Sequence, residues 1–103
     1  MRIAVIGANG QLGIDICKAF KNNDDEVFQL NHNNLDIADP EKVATTFQSL
    51  QPDLVINTAA MHNVDACEEN PALAFSVNGM GARNLAMASN SMGFTLFHIS
   101  TDY

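Results

Sequence analysis

Three glycines, Gly7, Gly10 and Gly13, follow the apolar run Ile3-Ala4-Val5-Ile6 at intervals of three, and they are the residues of this chain best suited to chemistry. Glycine lets the backbone turn tightly and come close to a ligand, and the last of the three lets a helix start close against the strand before it. A helix beginning in such a turn presents unpaired N–H groups and the positive end of its dipole, a setting that suits a pyrophosphate without any cationic side chain. The spacing is GxxGxxG rather than the more usual GxGxxG. Its context makes it a nucleotide signal: an apolar strand precedes it, and Leu12, Ile16, Ala19 and Phe20 recur at helical spacing after it.

Other groupings carry less chemistry. His62, Asp65 and Cys67 cluster but match no tetrahedral zinc spacing, so no metal is expected. There is no GxSxG elbow and no GxxxxGK[ST], which leaves hydrolase and P-loop readings without support. Asp24-Asp25-Glu26 and Glu68-Glu69 read as solvated surface, and Met80, Met87 and Met92 as core filler or a helix-packing face. Cys17 falls on the apolar side of the first helix and reads as a reduced, buried thiol.

The glycine turn needs elements to position it, and the chain supplies them in alternation. Glu26 to Leu30 predicts a second strand, ending in Asn31-His32-Asn33-Asn34. That end normally carries the ribose reader, an acid for a 2′-hydroxyl or an arginine for a 2′-phosphate; neither is present, so NAD and NADP stay open. His32 reads as a solvated loop histidine. Leu35-Asp36-Ile37 is short and strand-like, and Asp39 with Pro40 opens a helix that faces inward through Val43, Phe47 and Leu50. Asp53 to Ala60 reads as a buried strand, with Ala59 and Ala60 at its carboxyl end small enough to admit a flat ring and its ribose.

Asn70-Pro71 then starts a helix running to Met92, stopped by Gly93, with Leu73, Val77, Met80, Asn84 or Leu85, and Ala88 as its sheet-facing stripe. Gly79 and Gly81 within it suggest close packing against a neighbour. Thr95 to Thr101 reads as a further buried strand. The alternation predicts an α/β fold of Rossmann type: a parallel sheet in the order 3-2-1-4-5, helices on both faces, and a ligand crevice between the first and fourth strands.

Length and charge bound the rest. A chain of 103 residues is one domain at most, and no apolar run approaches the roughly 20 residues needed to span a bilayer. Five Lys and Arg against twelve Asp and Glu, a net charge of −7, oppose a nucleic-acid footprint. No basic or apolar leader stands ahead of the first strand, so a cytoplasmic location is expected.

The motifs together resemble the amino-terminal half of dTDP-4-dehydrorhamnose reductases, members of the extended short-chain dehydrogenases. The residues that carry the likeness are Gly7 to Gly13, Leu35-Asp36-Ile37, Pro52 to Ala60, Val64 to Pro71, Val77-Asn78 with Gly81 to Ala86, and His98 to Tyr103. The resemblance implies that residues 1–103 are an incomplete dinucleotide-binding domain. The chain stops before the family's Tyr-x-x-x-Lys and substrate domain, so it is expected to bind NADP or NAD at most and to turn over no substrate alone. It places Gly7, Gly10, Gln11, Leu12 and Gly13 on the cofactor pyrophosphate, Asp36 and Ile37 beside the adenine, and Ala59, Ala60, Met61 and His62 on the nicotinamide ribose side, with Ile99 also among the cofactor-binding residues. The family usually has Tyr or His and then Thr where this chain has Met61-His62. Thr101 matches the catalytic Ser or Thr whose hydroxyl binds the reacting carbonyl, and Asp102 a substrate contact, whereas Tyr103 lies too near Thr101 to be the catalytic tyrosine.

The implied reaction of the full-length protein is NAD(P)H-dependent reduction of a dTDP-4-keto sugar to dTDP-rhamnose, with pairing into a homodimer through the helix from Pro71 to Met92. Two alternatives share the resemblance. One is a noncatalytic NADP-binding regulatory subunit like that of methionine adenosyltransferase, and the other is a further sugar-nucleotide reductase or epimerase of the same superfamily.

Overall fold

In a computed structural model the described residues are 1–8, 10–21, 24–31, 33–58 and 71–99, with 71–78 described in backbone only. The elements follow in the order β1 (Arg2–Ile6), α1 (Gln11–Phe20), β2 (Glu26–Leu30), α2 (Pro40–Leu50), β3 (Leu54–Asn57), α3 (Pro71–Met92) and β4 (Thr95–His98). All pairings are parallel and the sheet order is β2-β1-β3-β4. Ile6 stands opposite Leu30 on one side and Asn57 on the other, so the carboxyl ends of the strands form a common rim where α1 begins.

The uninterrupted apolar run of β1 follows from its central place in the sheet. Ala4 and Ile6 pack with Leu30, Leu35, Val43, Phe47, Val55, Leu85, Ala88 and Phe94 on the face covered by α2 and α3. Ile3 and Val5 pack with Ala8, Cys17 and Ile56 on the face covered by α1. Helices on both faces of a parallel sheet are the arrangement that the alternation of elements predicted.

Local chemistry sets the helix ends. At α2 the Asp39 carboxylate accepts from the Glu41 and Lys42 N–H groups at 3.1 and 3.2 Å, and Pro40 occupies the first turn, where its missing N–H costs nothing. Helix α3 spans Pro71–Met92 as expected, and Gly93, at φ +83°, ends it by a left-handed turn while its N–H donates to Ser89 O. At the opposite, amino-terminal end of the strands Arg2 acts as a clamp. Its guanidinium donates to Leu50 O and Glu26, and it lies 4.8 Å from the centre of the Phe28 ring.

Five expectations need correction. Residues Leu35 to Ile37 form no strand, because their surroundings satisfy backbone groups locally: Leu35 N donates to Asn31 O, Ala38 N to the Asp36 side chain and Asp39 N to Asp36 O. The sheet therefore has four strands among the described residues, in the expected relative order with that edge strand missing. The buried stripe of α3 runs through Gly81, Leu85 and Ala88, one residue out of phase with Met80, which is 49% exposed; Met87 is exposed as well. Gly79 meets open space rather than a neighbour. Strand β4 is an edge strand among the described residues rather than a buried one: Thr95, Phe97 and His98 are exposed. On α1, likewise, Ala19 is exposed and Gly13 and Cys17 form the buried line.

Candidate functional site

The glycine turn is tied to both neighbours of β1. Gly7 takes φ +81°, a left-handed conformation that favours glycine, and its N–H donates to Leu30 O at 2.8 Å; the Ala8 N–H reaches the same carbonyl at 3.2 Å. On the other side buried Thr58 donates from its hydroxyl to Ile6 O at 2.7 Å and to Gly7 O at 3.3 Å, and from its N–H to Ile6 O at 3.0 Å. The turn is thereby fixed to the ends of β2 and β3 at once. Thr58 was not among the residues singled out from sequence. A hydroxyl-bearing residue directly after the buried run Val55-Ile56-Asn57 was the available signal, since a buried hydroxyl needs an acceptor.

Gly10 and Gly13 do different work. An ideal Cβ at Gly13 would lie 2.2 Å from Gly7 O and 2.8 Å from Ala8 Cα, so only glycine lets α1 sit this close to the turn. At Gly10 the nearest atom is Gly7 O at 3.4 Å, an ordinary contact, and the backbone is extended at φ −79°, ψ 164°. The fold itself does not require glycine there. The N-terminus of α1 has no side-chain cap and no acidic residue in its first turn, whereas α2 is capped by Asp39. An end left open in this way accommodates an anion, which both the orphan N–H groups and the helix dipole favour. Gln11 is exposed, with its amide donating to Asp15 at 3.1 Å, and Leu12 is half-buried.

Beyond β2 the chain folds back on its own side chains. Asn31 Oδ1 accepts from the Asn33 and Asn34 N–H groups at 2.9 and 3.2 Å, and Asn34 Oδ1 accepts from Asn31 N at 3.0 Å. Asp36 is exposed and uses Oδ1 to accept from Ala38 N at 3.0 Å, leaving the carboxylate at the surface, while Ile37 packs against the core under α2 and α3. At the far side of the rim Ile99 N donates to Asn57 O at 3.0 Å, and the Ile99 side chain packs against the α1-side core. Asn57 is buried, and its side-chain amide lies 3.1 Å from His98 Nδ1, linking the ends of β3 and β4.

The structure thus brings Gly7, Gly10, Gln11, Leu12 and Gly13 into one turn, with Asp36 and Ile37 in the loop that leads from β2 to α2 and Ile99 just beyond β4. The expectations for Ala59, Ala60, Met61, His62, Thr101 and Asp102, and those for His32, Asp65 and Cys67, lie outside the described residues. Among the described residues no group of His, Cys, Asp and Glu is arranged to hold a metal ion, and no helix is long and apolar enough to cross a membrane. Burial pushes the Cys17 thiol above its ordinary pKa, which keeps it protonated and unreactive.

A parallel sheet whose first strand runs through a glycine turn into an uncapped helix defines a Rossmann-type α/β domain. The particular family follows from comparison with known proteins. The family model described as the RmlD substrate binding domain matches residues 1–103, and the chain belongs to that family. It is 41% identical over 102 residues to the spore coat polysaccharide biosynthesis protein SpsK of Bacillus subtilis, covering 99% of this chain and 36% of that protein. Among solved structures it is similar to a dTDP-4-dehydrorhamnose reductase from Clostridium acetobutylicum, with TM-score 0.84 and 42% identity over 93% of this chain and 34% of that one. It is similar also to the dTDP-4-dehydrorhamnose reductase of Bacillus anthracis in complex with NADP, with TM-score 0.83 and 34% identity over 92% of this chain and 34% of that one. The chain spans about a third of the length of the relatives it matches.

Proposed function

We propose that this chain is the dinucleotide-binding part of an NADPH- or NADH-dependent reductase that converts a dTDP-4-keto sugar to the corresponding alcohol, the reaction for which the Clostridium and Bacillus anthracis relatives are named. The observation that carries the reading is the open N-terminus of α1: it has no cap and no acid, and it begins at a Gly10 that the fold itself does not need. A bound anion explains all three.

The roles of the residues are those that the resemblance to the reductases implies. Backbone N–H groups from Gln11 to Gly13 hold the pyrophosphate, with Gly10 letting it approach and Gly7, whose carbonyl accepts from the Gly10 N–H, turning the chain out of its way. Asp36 accepts from the adenine amine and Ile37 borders the ring. Ala59, Ala60, Met61 and His62 line the nicotinamide ribose side, with Ile99 also among the cofactor-binding residues. Thr101 donates a hydrogen bond to the carbonyl oxygen of the sugar, where negative charge develops as it is reduced, and Asp102 contacts the substrate. The reduced nicotinamide, when bound, supplies the hydride. Such a protein works in the cytoplasm, where nucleotide sugars and reduced nicotinamide cofactors are both at hand. Pairing of two copies through α3 belongs to the same reading; exposed Met80 and Met87, two turns apart on one side of that helix, support it, and sedimentation velocity tests it.

Titration of the protein with NADPH and with NADH, before and after Gly10→Val, tests the proposal. The valine Cβ makes only an ordinary contact among the described residues, 3.4 Å from Gly7 O, so the variant is expected to stay folded, yet it stands where a phosphate would approach. Affinity for the cofactor is expected to fall by at least about tenfold, on the order of 1.4 kcal/mol. Equal affinity in both proteins removes the glycine turn from the cofactor site.

A further inference from the structure

Helix α3 presents Gly81 and Asn84, one turn apart, to the loop between β2 and α2. Gly81 is buried, and an ideal Cβ there would lie 2.6 Å from both Cγ1 and Cδ1 of Ile37, so the Ile37 side chain fills the space that any other residue at 81 would claim. The Asn84 side-chain N–H donates to Ile37 O at 2.9 Å, across 47 positions of sequence. Ile37 is therefore held twice, by its side chain and by its carbonyl, from the same helix. Its neighbour Asp36 is held in turn by the turn that Ala38 and Asp39 close upon it, and Asp39 caps α2. At Gly79, two residues before Gly81 in the same helix, an added Cβ would meet no atom among the described residues within 4 Å.

We infer that Gly81 and Asn84 are positioning residues for the adenylate half of the dinucleotide. They fix Asp36 and Ile37 relative to the glycine turn, so affinity for the adenine end is set in part from α3. The inference rests on the cofactor reading above and adds to it residues that act through others without touching the ligand. The backbone bonds of this loop run within the segment from Asn31 to Asp39, and the Asn84 bond with the Gly81 notch ties it to another element of the fold.

The test uses three variants, Asn84→Leu, Gly81→Ala and Gly79→Ala, and three probes, NADPH, 2′,5′-ADP and reduced nicotinamide mononucleotide. Asn84→Leu removes the donor at similar volume, and Gly81→Ala forces Ile37 out of its place. Each is expected to weaken NADPH and 2′,5′-ADP about three- to tenfold, the worth of one hydrogen bond with its geometry, and to leave the mononucleotide unchanged. Amide exchange at Ala38 and Asp39 should quicken in both while that of β1 stays slow. Gly79→Ala should raise the melting temperature and change no affinity. Adenylate affinity unaltered by Asn84→Leu and Gly81→Ala overturns the inference alone, as does an equal loss for all three probes, which would report general destabilisation. A wild-type protein that binds neither NADPH nor NADH removes the cofactor reading and this inference with it.

Discussion

Replacing Gly13 by alanine puts the packing of α1 to a quantitative test. The added methyl would stand 2.2 Å from Gly7 O, 2.8 Å from Ala8 Cα and 2.9 Å from Gly7 C, all backbone atoms of a turn tied to β2 and β3. Carbon and carbonyl oxygen tolerate about 3.3 Å, so the 2.2 Å contact is relieved only if α1 moves away by about 1 Å. No side-chain rotation can substitute for that shift. The helix carries buried Cys17 and the half-buried Ile16 and Phe20 against Ile3, Val5 and Val27, and a gap of that size forfeits a sizeable part of their contact energy. The expected cost is about 2–4 kcal/mol, or a melting temperature lower by about 10–30 °C in a domain of this length.

Gly10→Ala is the matched control. Its methyl makes only an ordinary 3.4 Å contact, and the extended backbone at that position is open to alanine. Its stability is expected within about 0.5 kcal/mol of wild type, lost capping preference and reduced unfolded-state entropy nearly cancelling. Thermal unfolding followed by circular dichroism, with urea titration as a second measure, reads both. A Gly13→Ala protein that melts with the wild type would refute the claim that α1 rests against the turn with no room for a side chain.

Asp39→Ala leaves the Glu41 and Lys42 N–H groups without their acceptor and should cost about 1 kcal/mol in a urea titration. Phe47→Ala empties a fully buried site whose ring lies 5.3 Å from that of Phe94, and a loss of about 3–5 kcal/mol should leave so small a domain largely unfolded at 37 °C by the same measurement. The raised pKa of Cys17 means that the unfolded chain gives up the thiol proton first as pH rises. Its contribution to stability is intact below the ordinary thiol value and is lost as pH climbs through the raised folded value, so melts in alkaline solution should fall less steeply for Cys17→Ala than for wild type. Alkylation of Cys17 by iodoacetamide, read by mass spectrometry, should be slow in the native protein and fast in urea.

The primary sequence determined the strand-turn-helix opening, the boundaries of α2 and α3, and the parallel order of the strands. These rest on local rules: glycine for a left-handed turn, aspartate and proline at a helix start, and an unbroken apolar run for a strand covered on both faces. Tertiary structure decided what local rules leave open. Leu35-Asp36-Ile37 has the composition of a strand, but its surrounding N–H groups find partners in Asn31 and Asp36. Met80 and Leu85 both fit a helical stripe, and only the placement of α3 against Ile37 and the core chose Leu85. Of the three evenly spaced glycines, Gly13 is required by the packing of α1 against the turn, while a Cβ at Gly10 would make only an ordinary contact. That difference lies in how the turn is folded in space: the Gly7 and Ala8 backbone crowds Gly13 at 2.2 to 2.9 Å, while the same Gly7 carbonyl stands an ordinary 3.4 Å from a Cβ at Gly10.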